Sequence, residues 1–247
     1  MCKLADEIKK ELRSIIRQWD TLRKPLQCSE KVRHLSDNSP HYRIEGAQSH
    51  EELVELILRF AGSVWQLKDR LKLWVKAKGL ELRDTTTNGR QIKTSIEETT
   101  GKSINLLLCA DLYNLKKHGK LDRPRTEYSP ILKGVSFDTS KSGVISIIHD
   151  VDGSKTGDIL VTHPAPVPYR IEILSGDGTK SFGDALVVIT RGFGYWIPVI
   201  RRLGVLGDEF ESKWIAKKLS RIEKYIKETN PFKFGTKVIH VETKYTD

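Results

Sequence analysis

The sequence predicts an α+β protein, with an N-terminal antiparallel helical bundle followed by a small antiparallel β-sheet and closing C-terminal helices. Three observations predict it. Apolar residues recur every three or four positions in three long stretches before residue 120. Short runs rich in β-branched residues, separated by Gly- and Pro-containing turns, follow Pro124. Helical spacing then returns after residue 182. The change of pattern divides the chain at about 1–125 and 126–247, the second part packing on the first.

Leu4, Ile8, Leu12, Ile15, Trp19 and Leu22 place a helix over 3–24, closed by Pro25. Periodicity is lost from 27 to 48, which reads as a long connection. Ser49 and Glu52 have the spacing of a capping box ahead of Leu53, Ile57, Phe60, Val64, Leu67, Leu71 and Trp74, a helix over 50–78 stopped by Gly79. Residues 83–89 are expected to form a turn cluster, and 91–98 a short helix. Ile104, Leu107, Leu108, Leu112 and Leu115 define a further helix over 103–118, with Gly119 at its C-cap position. Strands are expected at 131–137, 144–149, 158–163 and 169–174. A helix over 182–203 should kink near 194–198, where Gly194 and Pro198 fall. A last helix over 208–228, ending before Pro231, precedes a strand at 237–243.

The balance of 42 Lys and Arg against 32 Asp and Glu gives a formal charge of +10. An excess of this kind suits a polyanion, because each neutralised phosphate releases condensed counterions, although charge can also serve solubility alone. No run approaches the ~18 apolar residues of a membrane span. The chain starts as an amphipathic helix and not as a charged-then-apolar leader, so the expected location is cytoplasmic. Cys2, Cys28 and Cys109 are widely spaced and form no Cys-x-x-Cys pair, so neither a disulfide framework nor a zinc site is expected. No metal or other cofactor is indicated.

The candidate site lies on the 103–118 helix. Asp111, Asn114 and His118 fall within roughly 60° on a wheel of about 100° per residue. A carboxylate beside an imidazole can orient it as a general acid or base, and histidine titrates nearest neutral pH. In the alternative reading, Asp111 and Asn114 satisfy buried donors while His118 caps the helix C-terminus. Lys116, Lys117, Lys120, Arg123 and Arg125 gather at the end of the same helix. Lys213, Lys217, Lys218, Arg221 and Lys224 cover the side of the 208–228 helix opposite Ile215, Leu219 and Ile222. That side is either a nucleic-acid-facing surface or a solvated face.

Residues 109–118, Cys-Ala-Asp-Leu-Tyr-Asn-Leu-Lys-Lys-His, followed by Arg123, Arg125 and strands, resemble the last long helix of the HEPN superfamily. These helical domains occur in bacterial defence systems and RNA-processing enzymes. Similar bacterial proteins place a small β region and a Trp-bearing helix after such a helix, here Trp196. In catalytic members an arginine, an adjacent polar residue and a histidine cut RNA without metal, usually across a dimer interface. On this sequence His118 matches the histidine and Asn114 the polar position, while Tyr113 stands where the arginine would be. The resemblance therefore implies a non-catalytic protein of a defence or toxin–antitoxin type that binds nucleic acid, RNA above all, or another phosphate-bearing ligand such as a nucleotide, with a homodimer as its expected assembly. Two alternatives stay open: a metal-independent ribonuclease, with His118 as acid or base and Asp111 and Asn114 orienting the phosphate, and a structural subunit docking on a partner protein.

Other apparent motifs fall short. His149-Asp-Val-Asp-Gly153 reads as a hairpin turn because its Gly comes too early for a calcium loop. Gly153-Ser-Lys-Thr and Gly178-Thr-Lys-Ser lack the phosphate-loop frame. Gly192-Phe-Gly-Tyr-Trp196 could stack a base but fits core packing better.

Overall fold

A computed structural model describes residues 2–23, 32–34, 42–44, 50–85, 91–119, 121, 123–137, 148–149, 169–229 and 239–243. Helix α1 (Cys2–Leu22) buries Ile8, Leu12, Ile15, Trp19 and Leu22 of the expected stripe, together with Ile16, while Leu4 is half-buried. Two short strands follow, β1 (Val32–His34) and β2 (Tyr42–Ile44), paired antiparallel within a stretch expected to be wholly irregular. Helix α2 (His50–Ala77) buries Leu53, Ile57, Phe60, Val64, Leu67 and Leu71. The expected cap at Ser49 lies outside the described residues.

The next segment corrects the expectation. Residues 80–85 and 91–94 form strands β3 (Leu80–Thr85) and β4 (Gln91–Thr94), where a turn cluster and a short helix were expected. The helix begins only after them, as α3 (Ile96–Gly101). A capping box sets that start: the Ser95 hydroxyl accepts from Glu98 N–H while the Glu98 carboxylate accepts from Ser95 N–H, at 3.1 and 2.9 Å. Helix α4 (Ile104–His118) is capped by the Ser103 hydroxyl, which accepts from Leu106 N–H. It ends at Gly119, whose φ of 71° turns the chain left-handed while its N–H donates to Leu115 C=O.

Strands β5 (Ile131–Phe137), β6 (Ile148–His149), β7 (Tyr169–Leu174) and β8 (Ser181–Asp184) form an antiparallel sheet in the order β6-β5-β7-β8. The strand expected at 158–163 and the turn expected at 149–153 fall largely or wholly outside the described residues. Residues 182–184, expected to be helical, close this sheet instead. Asp184 then caps α5 (Ala185–Arg202) by accepting from Val187 N–H. Helix α5 runs through Gly194 and Pro198 without a break. Helix α6 (Phe210–Thr229) and strand β9 (Ile239–Thr243) are the last described elements, and β9 pairs with β3 to give the order β4-β3-β9.

One hydrophobic core runs through α1, α2, α4, α5 and α6. Helix α5 lies at its centre, touching α2, α4 and α6. Trp196 is fully buried, and its indole N–H donates to Val64 C=O of α2 at 3.1 Å. Trp74 of α2 answers by donating to Leu203 C=O, just beyond α5, at 2.9 Å. Burial of two large rings whose only polar atoms are satisfied is strongly stabilising. Trp19 of α1 meets Tyr225 of α6 edge to face at 5.7 Å, with the Arg23 guanidinium over both rings. Phe193 is also fully buried, so Phe193 and Trp196 of the aromatic run at 192–196 pack the core, while Tyr195 is half-buried and its hydroxyl donates to Thr99 C=O.

Replacing Trp196 by Ala should cost about 3–5 kcal/mol in urea denaturation, from lost burial and the cavity left behind. Leu73→Ser, at a position 49% exposed, should stay within about 0.5 kcal/mol.

Candidate nucleic-acid interface

Among the three residues of the α4 edge, Asp111 has the most definite surroundings. It is fully buried, and three donors converge on its carboxylate. Arg125 N–H reaches Oδ1 at 2.6 Å, while Thr126 N–H and the Thr126 hydroxyl reach Oδ2 at 2.7 and 2.6 Å. Charge-assisted hydrogen bonds of this length are the strong kind, and a buried carboxylate needs them. Asp111 thus ties the chain beyond α4 back onto the helix. Both its oxygens are engaged with the protein.

Asn114 is half-buried and His118 exposed on the same side. With a rise of 1.5 Å per residue, His118 lies about 10 Å along the axis from Asp111. The edge is a stripe and not a converged triad. Tyr113 turns away from it and packs on α2, where its hydroxyl accepts from Gln66 Nε2 at 2.6 Å. Its ring lies so close to Gly62 that a Cβ there would meet Cδ2 at 2.8 Å. The ring, Gly62, Gln18, Ser63, Gln66 and Lys116 line a cleft of about 270 Å³.

The turn that Asp111 holds is fastened from its other side as well. Gly176 N–H donates to Tyr128 C=O at 2.7 Å, and a Cβ on Gly176 would meet Ser129 C=O at 2.9 Å. Ser129 itself has a φ of 44°. Arg125 is thereby placed with an exposed side chain whose guanidinium lies 4.9 Å from the Trp65 ring centroid. Lys68 lies over the same ring at 4.7 Å. Such stacking steadies a cation without neutralising it.

The remaining basic residues divide. Lys116 is paired with Glu55 at 2.7 Å, and Arg59 holds the same carboxylate. These two hydrogen bonds keep the Glu55 carboxyl below the usual carboxylate range. Lys117 and Arg123 are exposed and have no acidic partner among the described residues. Lys120 lies outside those residues. On α6, Lys218 is paired with Asp20 of α1 at 2.6 Å, and Lys224 lies 3.8 Å from Glu228. Lys213, Lys217 and Arg221 are exposed and, among the described residues, unpaired. The two basic regions sit on different parts of the fold, since α4 packs on α2 and α5, and α6 on α5 and α1.

Cys109, two residues before Asp111 on α4, is fully buried, and burial pushes its thiol far above the usual range. Among the described residues no three His, Cys, Asp or Glu side chains are placed to hold a metal ion, and no helix is long and apolar enough to cross a membrane. Compared with protein-family models, with curated proteins and with solved structures, the chain gives no match.

Asp111→Asn leaves one carbonyl oxygen for three donors and sets an amide N–H₂ against an N–H. Urea denaturation should show a loss of about 1–3 kcal/mol, with Asp111→Ala at least as damaging. An unchanged midpoint would mean that the carboxylate is not a structural tie.

Proposed function

We propose that this is a basic, non-catalytic nucleic-acid-binding protein, with RNA the favoured polymer. The observation that carries the reading is the uncompensated row on α6. Lys213, Lys217 and Arg221 recur once per turn and are exposed, while the carboxylates of the helix are engaged elsewhere: Glu211 with Arg13, Glu223 with Arg201, and Glu228 beside Lys224. A row of cations kept clear of its own acids tracks a phosphate backbone well. Lys117, Arg123 and the Trp65-stacked Arg125 supply a second group at the end of α4. The likeness of the 103–118 helix to HEPN domains favours RNA over other polyanions.

The engagement of Asp111 weighs against the ribonuclease reading. A carboxylate accepting three hydrogen bonds from its own chain is not free to orient an imidazole about 10 Å along the helix. Tyr113, packed on Gly62, supplies no cation for a pentavalent phosphate. His118 is left exposed at a helix C-terminus, where a cation also suits the dipole.

The test is fluorescence anisotropy of a labelled RNA 20-mer over a series of KCl concentrations. The wild type should bind with a steep negative salt dependence, and Lys217→Glu/Arg221→Glu should weaken binding and flatten the slope by about 1–2. Affinity and slope that are identical in wild type and variant would overturn the reading.

A further inference from the structure

We propose that the exposed face of α6 is a docking strip for single-stranded nucleic acid, on which Phe210 stacks a base and Lys213, Lys217 and Arg221 hold the adjoining phosphates. This rests on the nucleic-acid reading above and narrows it to unpaired strands.

Phe210 is the starting point. It is 86% exposed, by far the most open large apolar side chain among the described residues. At about 100° per residue, Phe210, Lys213, Lys217, Arg221 and Lys224 fall within roughly 80° of one another. The buried residues Ser212, Ile215, Leu219 and Ile222 occupy the opposite side. Half-buried Trp214 borders the strip. An isolated exposed apolar residue needs no explanation on its own. Here it heads Lys213, Lys217 and Arg221, which have no acidic partner among the described residues, while Lys224 and its neighbour Glu228 close the far end of the strip; a ring beside a basic track is what single strands require.

The strip is also held rigid. Lys9 pairs with Glu209 at 3.2 Å, Arg13 with Glu211 at 2.8 Å and Asp20 with Lys218 at 2.6 Å, so α1 runs beside α6 in the same direction. The Glu209 carboxylate also accepts from the Ser212 hydroxyl at 2.8 Å, fixing the segment that presents Phe210. These contacts draw Glu209 and Glu211 away from the cationic row. Lys10 and Arg17 are exposed on α1, next on the wheel to its ion-pair row, and widen the positive surface.

Two other occupants fit less well. A duplex hides its base faces inside the stack and offers Phe210 nothing to stack on. A membrane would need an apolar helix face to insert, yet Ile215, Leu219 and Ile222 are buried in the core and leave Phe210 nearly alone on the outer side. A single strand offers both an accessible base and the phosphates.

The experiment measures binding of the full chain to fluorescein-labelled oligouridylate and oligothymidylate 12-mers, a 20-base-pair duplex, and phosphatidylserine vesicles. Phe210→Ala, whose exposed site should leave the melting temperature unchanged, is expected to weaken single-strand binding about tenfold or more. Duplex binding and the salt slope should hardly change, and Phe210→Trp should restore the affinity. Lys217→Glu/Arg221→Glu should weaken every nucleic acid. The strip is overturned if Phe210→Ala leaves single-strand affinity intact while the charge variant still loses it, a result that spares the broader reading. It is equally overturned if Phe210→Ala abolishes vesicle binding and nothing else. Failure of the wild type to bind any oligonucleotide removes both proposals together.

Discussion

The buried carboxylate of Asp111 is the constraint on which the middle of the chain depends. It is taken fully out of water and repaid by three short hydrogen bonds from Arg125 and Thr126. Without it the segment that leaves α4 would have two unpaired N–H groups at its first fixed point. With it, residues 125–130 are fastened to α4 as they lead into β5, and Gly176 meets them from the turn between β7 and β8. The helical part and the four-stranded sheet are joined through this short stretch.

Helix α5 does the corresponding work for the core. Trp196 and Trp74 exchange hydrogen bonds with backbone carbonyls across the α2–α5 contact, so two of the largest side chains are buried with their polar atoms satisfied. Around them Ile8, Phe60, Leu108, Phe193 and Leu219 come from five different helices. Strand β9 returns to pair with β3, so elements far apart in sequence share one sheet. Residues on both sides of the 125/126 boundary therefore contribute to the same core.

Much of this was legible in the sequence where the signal was local. The apolar stripes of α1, α2 and α6 follow from three- and four-residue spacing, and the end of α4 from Gly119; on α4 itself Ile104 of the expected stripe is 46% exposed, while Leu106, Cys109 and Ala110 outside it are buried. What escaped was non-local or short. Strand β3 carries Glu81, Arg83 and Asp84 among its six residues and is built partly by pairing with β9, more than 150 residues later. The capping box at Ser95 and Glu98 was readable, and would have placed the start of α3 after residue 95. The Asp111, Asn114, His118 stripe was correctly spaced, but spacing on a wheel says nothing of partners 14 and 15 residues onward. Phe210 had a signal too: it sits on the wheel opposite Ile215 and Leu219, where a large apolar residue has no core to enter.

An interior tied by one carboxylate and two indoles carries rows of cations outside it. Native-state hydrogen exchange tests the tie most directly. The Arg125 and Thr126 amides lie outside any helix or strand, where exchange is ordinarily fast. Their bonds to Asp111 should instead make them exchange as slowly as amides of the α4 core, and Asp111→Asn should release them. Fast exchange at both positions in the wild type would contradict the account.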